Sequence, residues 1–171
     1  MQTAPPPTES AVRPALWRVV ASSVLSLAGL GASIYLTIAH FDKIPLVCSD
    51  KGFVNCTKVT TSAESYFPPF AGWPHVPVAL MGLVFYVILV AVNSPWAWWA
   101  ADRRVHLARL GLLAVGMAFA LYLVACEMVV IGNICLWCTS IHIVTFLLFV
   151  LVVATVPPML GWGHVAEDEG Y

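Results

Sequence analysis

Residues 128–166 read MVVIGNICLWCTSIHIVTFLLFVLVVATVPPMLGWGHVA, a stretch of 39 residues that contains no Asp, Glu, Lys or Arg. A helix that crosses the hydrocarbon core of a bilayer needs about 20 consecutive apolar residues. The apolar run is followed by the pair Pro157-Pro158, which is typical of a helix end. The stretch therefore predicts a membrane-spanning helix over residues 134–156.

Three other stretches of the chain also lack charged side chains. They are residues 19–41, 65–101 and 110–126. These stretches predict further spanning helices over residues 17–39, 76–92 and 107–130. The expected fold class is therefore an all-α integral membrane protein with a bundle of four transmembrane helices.

The composition of the whole chain agrees with this reading. Of its 171 residues, 60% are hydrophobic and only 10% are charged. A soluble domain is about 45–50% apolar and about 25% charged, and a short chain cannot bury such an excess in one core. These values exclude an ordinary soluble enzyme and a disordered chain. The net charge of −1 gives no basic surface for nucleic acid.

Tryptophan and proline mark the ends of the predicted helices. Pro74 and Pro77 lie at the start of the second helix, and Pro95 follows its end. Indole rings prefer the boundary between membrane and water, and all seven tryptophans lie near a predicted helix end. They are Trp17, Trp73, Trp96, Trp98, Trp99, Trp137 and Trp162. We expect one membrane domain over residues 16–158, between a flexible tail (1–15) and a second tail (159–171).

The distribution of Lys and Arg predicts the orientation in the membrane. Arginines flank the first helix and populate the second loop, whereas the lysines of the first long loop are balanced by acidic residues. Cytoplasmic loops carry an excess of Lys and Arg. Both tails and the second loop should therefore be cytoplasmic. The loop of residues 40–75 and the turn near Gly132 should lie outside.

Four of the five cysteines form two pairs on the outer side of this topology. Cys48 and Cys56 lie in the long outer loop, and Cys135 and Cys138 form the sequence CLWC at the start of the fourth helix. Disulfides form readily in an oxidising extracytoplasmic compartment. Residues three and four apart share a helix face, so Cys135, Cys138 and His142 should follow one another from the surface inward. The pattern predicts thiol–disulfide exchange, with Cys138 facing a lipid-soluble electron acceptor such as a quinone.

Interpretations without a redox role remain open for each of these residues. The Cys48 and Cys56 pair would also suit a static loop disulfide, and four thiols would also suit a zinc site. Cys126, alone in the third helix, is interpreted as a structural thiol. His142 would also suit a simple hydrogen bond to another helix, whereas Glu127 receives no role.

Four motifs of the chain resemble the bacterial branch of the vitamin K epoxide reductase family. The motifs are GLGASIYLTIAH at 29–40, CSDKGFVNCTKVTTS at 48–62, FAGWPHVPVALMGLVFY at 70–86 and CLWCTSIH at 135–142. The resemblance covers about residues 25–150. The order of the motifs, with the loop pair before the CxxC, differs from that of the DsbB family, which also has four spans and two cysteine pairs.

This resemblance implies a four-helix bundle around a quinone pocket that is capped by the extracytoplasmic loop. Cys138 would react with the quinone and Cys135 would exchange with Cys56, while Cys48 would receive electrons from a partner thiol. Ser62 and His142 would contact the quinone. Val78 stands where animal members carry an asparagine that binds the quinone or epoxide, and this departure disfavours efficient epoxide reduction.

The implied function is that of a membrane thiol:quinone oxidoreductase in the bacterial plasma (inner) membrane. It would reoxidise a DsbA-like thioredoxin-fold protein and reduce a quinone of the ubiquinone or menaquinone (vitamin K) type, without a metal. Many bacterial members carry a fused thioredoxin-like domain, but this chain ends at Tyr171, so we expect a separate partner. The alternatives are a vitamin K epoxide reductase and a metal-binding or structural membrane protein with static disulfides.

Overall fold

The computed structural model describes residues 14–48, 50–67, 75–100 and 102–162. Most of them are helical, in the helices Leu16–Asp42 (α1), Cys56–Thr60 (α2), Val78–Val92 (α3), Pro95–Trp99 (α4), Arg103–Ala125 (α5), Leu136–Val153 (α6) and Val156–Met159 (α7). A π-helical turn, Cys126–Ile131, continues α5, and Ala63–Ser65 is a 3₁₀ turn. Four short strands form two antiparallel pairs, Asp50–Lys51 (β1) with Val54–Asn55 (β2) and Tyr66–Phe67 (β3) with Val76–Pro77 (β4).

Three of these helices are long and apolar enough to cross a membrane. They extend over Leu16–Asp42, Arg103–Ile131 and Leu136–Met159. They agree with the first, third and fourth predicted helices to within four residues at each end. The helix α3 has 15 residues and is therefore about 22 Å long, shorter than a typical hydrocarbon core. It begins two residues later than predicted because Val76 and Pro77 pair with β3.

Helices α1, α3, α5 and α6 form a closed ring. Helix α1 packs against α3 and α6, and α5 packs against α6 and α3. Buried residues recur at every third or fourth position of α1, and most of them are small. They include Val19, Ser22, Ser26, Gly29, Ser33 and Leu36. Small residues allow close approach of helices in lipid, where no hydrophobic force draws them together.

Polar contacts close the end of the ring at which α1 begins. The Arg18 guanidinium donates to the carbonyl of Ala154, 3.3 Å away, which joins the start of α1 to the end of α6. Arg109 is fully buried; its Nε donates to the Val92 carbonyl at 3.0 Å, and its guanidinium lies 3.7 Å from the ring centroid of Trp98. The Val92 carbonyl belongs to the last turn of α3, whose carbonyls have no partner within the helix. The arginine therefore caps α3.

The structure departs from the sequence expectations at several positions. Trp98 is buried, and its indole donates to Ser22, so it is a core residue rather than a boundary residue. Pro157 and Pro158 lie inside α7, in a first turn that tolerates proline, because α6 already ends at Val153. Most of both predicted tails, with Trp73 and Pro74, lies outside the described residues.

The close contact between α1 and α3 yields a test of the packing. A Cβ atom at Gly29 would overlap the ring of Tyr86, whereas a Cβ at Gly31 on the same helix would meet open space. We expect Gly29→Ala to lower the free energy of unfolding by about 1–3 kcal/mol, the usual cost of overpacking. Gly31→Ala should leave it unchanged or raise it by about 0.5–1 kcal/mol. Thermal unfolding of the two variants in detergent measures the difference, and equal losses would contradict the packing.

Candidate functional site

The two cysteine pairs lie together at the end of the bundle opposite Arg18 and Arg109. Cys48 and Cys56 are joined in a disulfide, whereas Cys135 and Cys138 are free thiols. Cys56 and Cys135 are fully buried in one cluster, and Cys48 and Cys138 pack against it. The structure therefore brings together all four cysteines that the sequence singled out.

Backbone pairing holds Cys56 against Cys135. The amide of Asn55 donates to the carbonyl of Ile134 at 3.0 Å, and the amide of Ile134 donates to the carbonyl of Phe53 at 3.0 Å. Val54 forms a parallel bridge with Ile134 through these bonds. Because Asn55 and Ile134 immediately precede the two cysteines, this pairing places the cysteines beside each other.

Asn133 and Lys58 reinforce that pairing with side chains. The Asn133 amide donates to the carbonyls of Gly52 and Phe53, at 3.0 and 3.2 Å. The Lys58 ammonium donates to the Asn133 side-chain oxygen and, at 3.1 Å, to the carbonyl of Ile131. Lys58 belongs to α2, whose first residue is Cys56, so the hairpin and this helix are both attached to the start of the CxxC segment.

The loop before Cys48 is attached separately. The amide of Val47 donates to the Tyr35 hydroxyl at 3.0 Å, and the Val47 carbonyl accepts from the Trp137 indole at 3.1 Å. The rings of Tyr35 and Trp137 also contact each other, with centroids 4.6 Å apart. Both sides of the loop disulfide are therefore fixed to the long helices.

Cys135 precedes α6 instead of lying within it. Its backbone is extended, and its sulfur accepts a hydrogen bond from the amide of Cys138 at 3.4 Å, so its side chain caps the helix. A hydrogen bond from the Cys138 thiol, supported by the amides of Cys138 and Trp137, lowers the pKa of the Cys135 thiol below its usual value. This arrangement favours the thiolate at Cys135. The sequence had placed Cys135 inside the helix because CxxC spacing does not show where a helix begins.

A cavity of about 760 Å³ extends from this cysteine cluster into the bundle. Its volume lies within the range of about 300–1,000 Å³ that is usual for small-molecule sites. Cys138, Ser62, His142 and Val78 all line it. Most of its surface is apolar, which suits a lipid-soluble ligand better than a charged one.

Two polar atoms at the cavity wall are buried without a hydrogen-bond partner. They are Nδ1 of His142, on α6, and Oγ of Ser33, on α1. Buried polar atoms normally have partners, so these two, in residues that line the cavity, are candidates for hydrogen bonds to a ligand there. The Ser62 hydroxyl instead donates to the carbonyl of Val59 at 2.8 Å, within the segment that follows α2.

The sequence reasoning missed Ser33, Asn133 and Glu127. Glu127 is only 5% exposed, lines the cavity and accepts a hydrogen bond from the amide of Cys135 at 3.4 Å. Its signal was available, because Glu127 is the one charged residue between two long uncharged stretches. Ser33 and Asn133 had no comparable signal, since serine and asparagine also occur as ordinary helix and turn residues.

Cys126 is a buried free thiol at the start of the π-helical turn. Within the described part of the chain, no group of three or more His, Cys, Asp or Glu side chains could hold a metal ion. The arrangement is that of a disulfide next to a dithiol pair, beside an apolar cavity, which is suited to thiol–disulfide exchange.

Comparison with known proteins agrees with this geometry. The sequence model of the vitamin K epoxide reductase family matches residues 20–153, which is well over half of the chain and includes all five cysteines. No curated protein matches the chain.

The hydrogen bond between the two free thiols predicts a change in titration. Cys138→Ala removes the donor, so the pKa of Cys135 should rise towards that of an ordinary thiol and the thiolate fraction at neutral pH should fall. Cys138→Ser retains a hydroxyl donor and should cause a smaller rise. Thiolate absorbance, titrated against pH in a Cys126→Ala background, measures both changes. A Cys135 titration unaltered in Cys138→Ala would contradict the assignment.

Proposed function

We propose that this chain, which belongs to the vitamin K epoxide reductase family, is a membrane thiol:quinone oxidoreductase with its active site at the cysteine cluster. Membership of the family supports oxidoreductase chemistry between disulfides and quinones. One observation carries the finer assignment. Fully buried Cys56 and Cys135 lie in one cluster, with one partner cysteine towards the outer loop and the other towards the cavity.

The exposure of the cysteines supports an order of electron transfer. Cys48 is half-buried, whereas Cys56 is fully buried. An external thiol therefore reaches the Cys48 sulfur, and the attack releases Cys56. When Cys135 and Cys138 are oxidised to a disulfide, Cys56 attacks Cys135 and releases Cys138 beside the cavity. This transfer proceeds through mixed disulfides and conserves both electrons.

The cavity supports quinone as the final acceptor. Cys138 lines it, so the two electrons of the reduced CxxC can pass to a ring bound there. The quinone takes up two electrons and two protons, while Cys135 and Cys138 form a disulfide. His142 and Ser33 would donate hydrogen bonds to the ring oxygens, and Ser62 would close the cavity from the loop side.

The partner and the cellular setting follow from the chemistry of the loop disulfide. A DsbA-like thioredoxin-fold protein that oxidises exported proteins would supply the thiol, and the quinone would be of the ubiquinone or menaquinone type. Because disulfides persist on the extracytoplasmic side, the cysteine end of the bundle would face outward in a bacterial plasma membrane. The helices α1, α3, α5 and α6 would form the four spans, with both termini cytoplasmic. Apolar Val78 at the cavity wall does not favour the epoxide as substrate.

The order of transfer predicts distinct defects in cysteine variants. Cys138→Ala should lose quinone reduction, because Cys135 then has no CxxC partner with which to form the disulfide that reduces the quinone. Cys48→Ala should lose oxidation of a DsbA-like partner while an artificial dithiol still reduces the CxxC. Turnover with reduced partner and quinone, followed by alkylation and mass-shift trapping, measures both losses.

The matched control for these variants is Cys126→Ala, which removes a buried thiol outside the two pairs and should keep full activity. The double variant Cys48→Ala/Cys138→Ala should also accumulate a disulfide between Cys56 and Cys135. If the two natural pairs never change redox state when quinone is added, the proposed function is wrong and the disulfides are static.

The unpartnered nitrogen of His142 predicts an effect on quinone binding. His142→Phe keeps an aromatic ring but removes the hydrogen bond, so the KM for quinone should rise about 2- to 12-fold, equivalent to about 0.5–1.5 kcal/mol. Ile143→Phe adds the same ring on the exposed face of α6 and should leave KM unchanged. Steady-state kinetics with a soluble quinone analogue compare the two variants. Equal KM values would remove His142 from the binding site.

A further inference from the structure

Glu127 is a buried carboxyl group that the redox sequence above does not use. It is the second residue of the π-helical turn Cys126–Ile131 and is 5% exposed. It also lines the cavity that Cys138 and His142 line. Single π-helical turns occur frequently at functional sites, and ionisable residues buried within a membrane protein are costly unless they serve a function.

Both cysteines of the CxxC contact the Glu127 carboxyl group. Its Oε2 accepts the Cys135 amide, and the Cys138 thiol is within hydrogen-bonding reach of the carboxyl. The same thiol also reaches the Cys135 sulfur. A thiol has one proton, so Cys138 can donate it either to the neighbouring sulfur or to the carboxyl group.

No cation neutralises this carboxyl group within the described residues. The ammonium group of Lys58 on α2 is bonded instead to the Ile131 carbonyl and the Asn133 side chain, and Lys43 is exposed. The thiols of Cys135 and Cys138 lie beside the carboxyl group. The other titratable residues that line the cavity are His40, Lys43, Glu64, Tyr66, Tyr86, Cys126 and His142. A salt bridge therefore does not explain why an acid is retained at this position.

We propose that Glu127 is a catalytic residue that carries the proton of Cys138 during reduction of the quinone. This inference rests on the proposed function. The carboxylate takes the proton from the Cys138 thiol, and the resulting thiolate bonds to the quinone ring. The Cys135 sulfur then attacks the Cys138 sulfur, which forms the disulfide, breaks the bond to the ring and leaves the electron pair on the quinone.

The protons balance in this scheme. The quinone gains two electrons from the two sulfurs and needs two protons to become the quinol. Glu127 returns the proton of Cys138 to one ring oxygen. The other proton is that of the Cys135 thiol, which passes to the outer solvent when the thiolate forms, while an equivalent proton enters the quinol from solvent. Glu127 is unchanged at the end.

Glu127→Gln tests this role, because glutamine can still accept the Cys135 amide but cannot carry a proton at neutral pH. The purified full-length protein is pre-reduced and mixed with a soluble quinone analogue in a stopped-flow instrument. We expect the rate of quinol formation to fall by about 100-fold or more, the usual contribution of general acid–base catalysis. Exchange of the Cys48–Cys56 disulfide with an external dithiol should keep its rate. Glu127→Asp, which retains an acid, should recover part of the lost rate.

The matched control is Asp42→Asn, which removes an exposed carboxylate at the end of α1, outside the cavity lining. It should leave the rate within twofold of the parent. If the parent reduces quinone and Glu127→Gln does so within twofold, the role of Glu127 is wrong and the proposed function stands. If the parent does not form the Cys135–Cys138 disulfide with quinone at all, the proposed function is wrong instead.

A measurement on the parent protein covers the case in which Glu127→Gln does not fold. Infrared difference spectra between the reduced and oxidised CxxC should contain a carboxyl band that shifts in Glu127→Asp and persists in Asp42→Asn. Absence of any carboxyl band would overturn the proposal, because disulfide formation removes the Cys138 thiol proton that is within reach of Glu127.

Discussion

The two backbone hydrogen bonds of Ile134 are the contacts on which the arrangement of the site depends. They join β2, at the end of the loop hairpin, to the residue before Cys135. Ile134 must be extended to make both bonds, so α6 begins only at Leu136. Within the described residues, no other backbone–backbone hydrogen bond joins the loop hairpin to the CxxC segment. A disulfide and a dithiol on separate segments exchange electrons only when such a contact places their sulfur atoms together.

The same pairing explains why polar residues lie close to the cysteines in a chain that has few polar residues. A non-helical segment beside the hydrocarbon must satisfy its own backbone groups. The amide of Asn133 donates to the carbonyl of Glu127 at 3.1 Å, and Lys58 occupies the carbonyl of Ile131. The Glu127 carbonyl also accepts the amide of Gly132, and the Ile131 carbonyl lies at the end of the π-helical turn, where regular helix bonds are lost. Polar residues near the cysteines thus serve the backbone first, whereas Glu127, His142 and Ser33 belong to the cavity lining.

The sequence predicted the long helices, which depend on extended apolar stretches. It did not predict the features that depend on single contacts. Uncharged stretches predicted the long helices because a spanning helix must be apolar across the whole thickness of the hydrocarbon core. The loop sequence did not predict the β hairpin or its bridge to Ile134. Strands of two residues are too short to show an alternating pattern of apolar and polar residues. Trp98 was misplaced because closeness to a helix end does not say whether a side chain faces lipid or the bundle. Cys135 and Cys138 were found by spacing, but the capping role of Cys135 depends on where α6 begins.

The cluster also separates the two kinds of chemistry that a thiol:quinone exchange requires. Electrons pass between sulfur atoms in direct contact, so Cys56 and Cys135 can be fully buried without loss. Protons need groups that can hold them, and an apolar cavity offers few. Each half-buried cysteine therefore lies where its protons have an outlet. Cys48 has the loop side, and Cys138 has the cavity wall with Glu127 beside it. A buried carboxyl group that would destabilise an ordinary membrane helix becomes understandable beside Cys138, the cysteine of the two pairs that lines the cavity.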